Sequence, residues 1–297
     1  MQAANRKVLS GTQAFERGLE NDALLGRSLR PSAQLLMTTW LRAGNERVYP
    51  GRDGWLFFRP DVEYLTGRGF LDPSQLAKRR ASGSEVTAAI QPDPRIAIMS
   101  FRRELEARGI TLIVVPTPVK PGVHPEQLDR RLDGPPAAVL QNRSYDAFIA
   151  ERVTLASTAD PDHRLDRVEV ANTGDAARML ALPASSPLVA PESVWLRRVI
   201  RADRSAWRPS RDADVLVLGD SFSNIYSLES MGWGTSAGFV EQLSYTLRRA
   251  VDRIVQNDEG AFATRRMLGQ DPDRLTGKRV VIYQFAAREL AFGDWRK

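Results

Sequence analysis

Asp214-Val215-Leu216-Val217-Leu218-Gly219-Asp220-Ser221-Phe222-Ser223 decides the fold. Four successive aliphatic residues, apolar at both parities, fit a strand buried on both faces, as in a parallel sheet covered by helices. Glycine directly after the strand lets the backbone turn tightly. In open α/β sheets the reactive groups gather beyond the carboxyl ends of the strands, and Ser221 stands at that place. A serine hydroxyl is a weak nucleophile unless a neighbouring base takes its proton, so a histidine must come near Ser221 if the chain catalyses acyl transfer. Gly-Asp-Ser also occurs in plain strand-to-helix turns, and that alternative stays open.

Outward from this stretch the same pattern repeats. Pro94 to Gly109 is an amphipathic helix ending at a glycine suited to a left-handed cap, followed by the apolar run Thr111-Leu112-Ile113-Val114-Val115 and a proline-rich loop from Pro116 to Pro125. Helix, buried strand and loop make the αβ unit of a parallel sheet. Helices are expected at about 139–152 and 238–257, and a last strand at Arg279 to Phe285. Upstream, helical spacing runs from about 12 to 44, with Pro31 placed to start a second helix. Val48 to Phe58 reads as a hairpin around Arg52-Asp53-Gly54, and residues 71–92 as a polar surface loop with some helix. These patterns predict an α/β fold with a mainly parallel central sheet, divided into a helical segment 1–47 and a main domain 48–297.

Composition narrows the chemistry. The 297 residues contain no cysteine, so neither disulfides nor thiolate metal sites are available. Two histidines, His124 and His163, are too few for a histidine-rich metal centre; neither metal nor cofactor is expected. The net charge is +6, and only five of the 42 basic residues are lysines. Arginine favours two-point binding of carboxylates and phosphates, so an acidic partner is plausible beside the plainer reading of solvated surface charge. Acids are interleaved with the bases and no nucleic-acid-binding signature appears, which excludes nucleic acid as the expected partner. No stretch approaches the roughly 20 apolar residues of a membrane span, and Met1 to Glu20 lacks the apolar core of a signal peptide. The expectation is a cytoplasmic protein, or a sequence that starts after an export segment.

Several segments together resemble the alginate O-acetyltransferases of the AlgJ/AlgX type. Gly51-Arg52-Asp53-Gly54-Trp55-Leu56-Phe57 is similar to their Gly-Trp-Leu-Phe entry segment, and Val115-Pro116-Thr117-Pro118-Val119-Lys120 with Pro125-Glu126 to their proline-lysine loop. Asn142-Arg143-Ser144-Tyr145, Ala171-Asn172-Thr173-Gly174-Asp175, Gly219-Asp220-Ser221-Phe222-Ser223 and Phe285-Ala286-Ala287-Arg288-Glu289-Leu290 continue the match in the family's order. The resemblance implies an SGNH-hydrolase-like three-layer sandwich in the periplasm. It also implies acetyl transfer to an anionic exopolysaccharide through an acetyl-serine, with acetyl delivered by a membrane partner protein. In such a site an asparagine side chain and a glycine N–H complete the oxyanion hole. Here Asn257, at the end of the helix expected after the serine, and Gly232 (or Gly234) are the candidates, against the plainer roles of helix cap and loop glycine. Arg288 is a candidate carboxylate clamp, or a surface partner of Glu289.

One departure stands out. The family carries an Asp-x-His-Trp block on its own strand upstream of the serine, supplying acid and base, and no such block occurs in this sequence. His163 with Asp160 or Asp162 is the replacement candidate, though Pro161 and the charged neighbours also suit an exposed turn; His124, in the proline-rich loop, is the more structural of the two. Three functions therefore remain open: an O-acetyltransferase using Ser221 and His163, a non-catalytic polysaccharide-binding or assembly subunit, and an acetyl-esterase. A damaged or truncated gene is a fourth origin for the missing block. Loss of a sheet strand is expected to leave edges that favour association.

Overall fold

The computed structural model describes residues 24–82, 90–133, 139–148 and 163–296, with the side chains of 24–30 left aside. In chain order the elements are α1 (Leu24–Leu41), β1 (Val48–Pro50), β2 (Leu56–Phe58), α2 (Arg59–Thr66), α3 (Pro73–Ala81), α4 (Pro94–Glu106), β3 (Thr111–Thr117), α5 (Lys120–Val123) and α6 (Tyr145–Phe148). Then come β4 (His163–Asn172), α7 (Asp175–Met179), β5 (Glu192–Arg201), β6 (Val215–Gly219), α8 (Ser221–Asn224), α9 (Phe239–Leu247), β7 (Asp252–Val255), α10 (Gly260–Gln270), β8 (Val280–Ala286) and α11 (Glu289–Phe292).

Four strands form the central sheet in the order β3-β8-β6-β7, and every neighbour pair is parallel. Alternation along each strand sends residues to opposite faces. Leu216, Leu218, Val281, Tyr283 and Phe285 join Ala97, Phe101 and Leu105 of α4 and Ala261 and Leu268 of α10 in one core. Val215, Val217 and Ile282 face the other way, against Val240 of α9, Val199 of β5 and Trp207. The result is a three-layer α/β sandwich with a parallel central sheet. The three strands expected from apolar runs are all present. Gly109 takes the left-handed conformation just past α4, with φ +71°, and Asp53 and Gly54 both have positive φ between β1 and β2, the backbone a tight primed hairpin turn requires.

Two expectations are corrected. The helix expected over 238–257 stops at Leu247, where Arg248 turns left-handed, and residues 252–255 form the edge strand β7. Second, Pro31, expected to start a second helix, lies inside α1. Not anticipated from the sequence, β4 and β5 pair antiparallel along ten residues each, from His163↔Arg201 to Asn172↔Glu192. This hairpin packs on the α9 side of the sheet through Leu165 and Val199. The short helix α6 lies within the expected 139–152 helix, whose end falls outside the described residues, as do Asp160 and Asp162. None of the described helices is long and apolar enough to cross a membrane.

Candidate active site

The loops leaving the carboxyl ends of β3, β6, β7 and β8 carry Lys120, Ser221, Asn257 and Arg288 respectively. The β6 loop is held by a buried latch. Asp220 caps α8 by accepting the Phe222 N–H at 3.0 Å, and its other oxygen accepts the Ala286 N–H of β8 at 2.6 Å. Gln284, also in β8, donates through Nε2 to Asp220 Oδ1 (3.0 Å) and to Thr117 Oγ1 of β3 (2.7 Å). Its Oε1 accepts from the Asp220 N–H (3.2 Å) and from Ser223 Oγ (2.6 Å). A Cβ on Gly219 would lie 2.4 Å from Ser223 Oγ, so the glycine is required by close approach of α8. Three strands thereby fix where Ser221 sits.

Ser221 opens α8 and is partly buried. Its hydroxyl makes no hydrogen bond among the described residues. The base expected to activate it is not delivered. His163 is the first residue of β4, opposite Arg201, whereas Asn172 and Glu192 close the other end of the hairpin. Nine steps at about 3.3 Å put His163 roughly 30 Å along the strand from Asn172. The Asn172 end is the one near the serine side of the molecule: Asn172 Nδ2 donates to the Met231 carbonyl at 3.1 Å, and Glu192 is the first acid acting on Lys120. Leu165, two residues after His163, joins the core cluster of Val199, Trp207, Val215 and Val240. His124 lies against Trp55, ring centroids 4.8 Å apart, with Nδ1 3.4 Å from Glu126 Oε1.

The oxyanion candidates divide. The Gly232 N–H already donates to the Glu229 carbonyl at 2.8 Å. Its positive φ of 76° closes a short turn, and a Cβ there would meet Asn172 Nδ2 at 2.5 Å. Gly232 is thus a structural glycine, and the sequence-based assignment is corrected because its donor is spent. Asn257 lies not on a helix but in the exposed loop after β7, where its Oδ1 accepts from Asn224 Nδ2 at 2.8 Å. Asn224 is the last residue of α8, so this bond ties Asn257 to the helix that Ser221 begins. The Asn257 amide donors have no partner among the described residues, and they border an open cavity of about 480 Å³ with Asn224, Gln256 and Arg274.

Arg288 is a clamp, but not with Glu289. Its guanidinium pairs with buried Asp61 at 3.0 Å and sits 5.2 Å and 5.3 Å from the ring centroids of Phe58 and Phe222. Burial pushes the Asp61 carboxyl above its ordinary range, outweighing the opposing pull of Arg288. Lys120, not singled out from the sequence as a site residue, completes the group. Its ammonium lies 4.6 Å from the Trp55 centroid and 5.6 Å from that of Phe57, and donates to the Leu56 carbonyl at 3.1 Å. It keeps solvent access, yet desolvation by these neighbours lowers its pKa, against the attraction of Glu192, Asp175 and Asp61. The signal in the sequence was the pairing of an aromatic entry segment with a lysine after a strand. Chemically, Lys120 is a solvent-reaching cation framed by aromatic faces, whereas the Arg288 charge is already matched by Asp61. Among the described residues no three His, Asp or Glu side chains come together to hold a metal ion.

No family model and no curated protein sequence matches the chain. Among solved structures, the O-acetyltransferase domain of Pseudomonas putida AlgJ is similar, with TM-score 0.55 and 18% identity over 83% of this chain and 93% of that one. Pseudomonas aeruginosa AlgX gives TM-score 0.48 and 15% identity, covering 84% of this chain and 63% of that one. The likeness to the AlgJ domain is one of fold.

Proposed function

We propose that this chain is a polysaccharide-binding member of an exopolysaccharide O-acetylation system, one that retains the serine loop of an acetyltransferase fold without a working base. The observation that carries this reading is the placement of His163 at the far end of the β4–β5 hairpin, together with a Ser221 hydroxyl that has no acceptor among the described residues. A serine site without its general base loses most of its rate, keeping only what binding and oxyanion contacts supply. The shared fold with the AlgJ domain, the motifs at 51–57, 115–120 and 219–223, and the cation–aromatic group of Lys120, Trp55 and Phe57 support an anionic polymer as ligand. The periplasm is the compartment this reading entails, beside a membrane protein that supplies acetyl groups.

A second reading is favoured by one observation: Ser221 is held rigidly at the start of α8, with unspent amide donors on Asn257 nearby. In that case an acetyl group passes from a donor ester to Ser221 Oγ, the donor leaving as its alcohol, and then to a sugar hydroxyl with release of the serine. Hydrolysis by water in the second step would make the chain an acetyl-esterase.

Intact-mass measurement after incubation with an activated acetyl ester separates these readings. Wild type, Ser221→Ala and His163→Ala are all expected to show no site-specific adduct, while wild type retains binding to oligouronate. A Ser221-dependent gain of one acetyl group in wild type overturns the non-catalytic reading. Loss of that adduct in His163→Ala would further reinstate His163 as base.

A further inference from the structure

The β4–β5 hairpin carries a second feature that the serine site does not use. Trp195 is 57% exposed, and among the described residues its one ring contact is the Arg167 guanidinium, 4.3 Å from the ring centroid. The register sets Trp195 directly opposite Glu169, and Arg167 directly opposite Arg197. All four side chains are exposed, and the two-residue period puts them on one face, which turns into the core only at the next pair, Leu165 and Val199. The other face behaves as ordinary packing: Val170 and Leu196 rest on Gly234, and Arg198 pairs with Asp166 at 2.5 Å. Neither Arg167 nor Arg197 has an acid partner among the described residues.

This arrangement is costly without a ligand. Like charges directly opposite on neighbouring strands destabilise the pair, and a large exposed indole gains nothing from the core. An anion lying between the two guanidiniums relieves the repulsion, and the indole offers a flat apolar surface to a ring stacked on it. Glu169 beside the indole points to a sugar. A carboxylate there accepts hydrogen bonds from hydroxyl groups, which a uronate polymer carries on every ring beside the carboxylate that the two guanidiniums would hold. The hairpin also reaches the serine site at its end: Glu192, three residues before Trp195 and so on the opposite face of β5, is the acid acting on Lys120.

We propose that Arg167, Trp195 and Arg197 form a subsite for an anionic, uronate-type polysaccharide, separate from the Lys120 and Ser221 loops. The assignment rests on the polysaccharide-binding function proposed above and adds where the polymer runs. Calorimetric titration of the full chain with a defined oligouronate tests it, using wild type, Trp195→Ala, the double variant Arg167→Gln/Arg197→Gln, and Lys120→Gln. Thermal melts confirm that each variant is folded. Expected are losses of about tenfold in affinity for Trp195→Ala and for the arginine pair, a weaker salt dependence in the latter, and no binding of neutral dextran. If both hairpin variants bind like wild type while Lys120→Gln is weakened, the subsite is wrong and the functional reading stands. If wild type binds no oligouronate, both fall. Equal or tighter binding of single-stranded DNA or of phosphatidylglycerol vesicles, abolished by Trp195→Ala, overturns the sugar assignment in favour of that ligand.

Discussion

Replacing Gln284 by leucine isolates what holds the serine loop in place. Gln284 is 2% exposed and joins β3, the β6 loop and α8 through four hydrogen bonds, to Thr117, Asp220 (twice) and Ser223. Leucine has similar bulk, so no sizeable cavity opens. The cost comes from the partners left behind. Ser223 is fully buried and Asp220 nearly so, and each buried polar group left unpaired costs about 1–3 kcal/mol; Thr117 is less buried and recovers its bond with water. Two such groups, plus one fewer donor on the Asp220 carboxylate, give a loss of about 4 kcal/mol, a large share of the usual 5–15 kcal/mol total. Ser223→Ala, which leaves Gln284 Oε1 satisfied by the Asp220 N–H, is expected to cost only about 1 kcal/mol. Urea titration followed by tryptophan fluorescence reads both. A Gln284→Leu loss below about 1 kcal/mol with an unchanged m-value refutes the latch. Gln284→Glu adds a pH signature: a carboxyl facing Asp220 has its folded pKa raised. Its deficit should be absent below the ordinary carboxyl pKa of about 4.3 and grow as pH rises through the folded pKa.

Other measurements follow from the same coordinates. Asp252 is buried with Lys278 Nζ at 3.3 Å and Arg274 at 2.6 Å; Asp252→Asn is expected to cost about 3–5 kcal/mol, more than Lys278→Met, which leaves Asp252 paired with Arg274, and thermal melts should rank them so. Gly232→Ala, strained by φ +76° and crowded by Asn172, should lose about 1–2 kcal/mol in a denaturant titration. Asp61 has a raised pKa because of burial, so its favourable contribution is complete below the unfolded value of about 3.9 and fades as pH rises through the folded value. Asp61→Asn should therefore gain on wild type with rising pH in denaturant titrations; a constant gap between the two proteins contradicts that cause.

The sheet core was readable because β3, β6 and β8 are apolar at both parities, a pattern only burial on two faces explains. β7 was not, since Asp252-Arg253-Ile254-Val255 looks polar and follows an amphipathic helix. It is a strand because Arg274 and Lys278, far along the chain, neutralise Asp252 inside the fold. The β4–β5 hairpin did leave a local trace in Val168-Glu169-Val170 and Val194-Trp195-Leu196, but arginines interrupt the alternation and mask its length. Ser221 and Arg288 were legible as polar residues just past strands, whereas Asn257, read at a helix end, lies after the unforeseen β7. The register that removes His163, and the hydrogen bond that spends the Gly232 donor, are long-range facts that no local pattern carries. Lys120 was quoted only as part of a motif, because its aromatic partners come from the 51–57 segment.

The strand order has a consequence in time. β8, the last strand among the described residues, lies between β3 and β6, and its Gln284 bonds Thr117 across 167 residues of sequence. Synthesis at about 5–20 residues per second takes roughly 8–33 s over that distance. Throughout that interval Leu112-Ile113-Val114-Val115 has been made but its sheet neighbour has not. The central sheet therefore closes only once β8 has been translated.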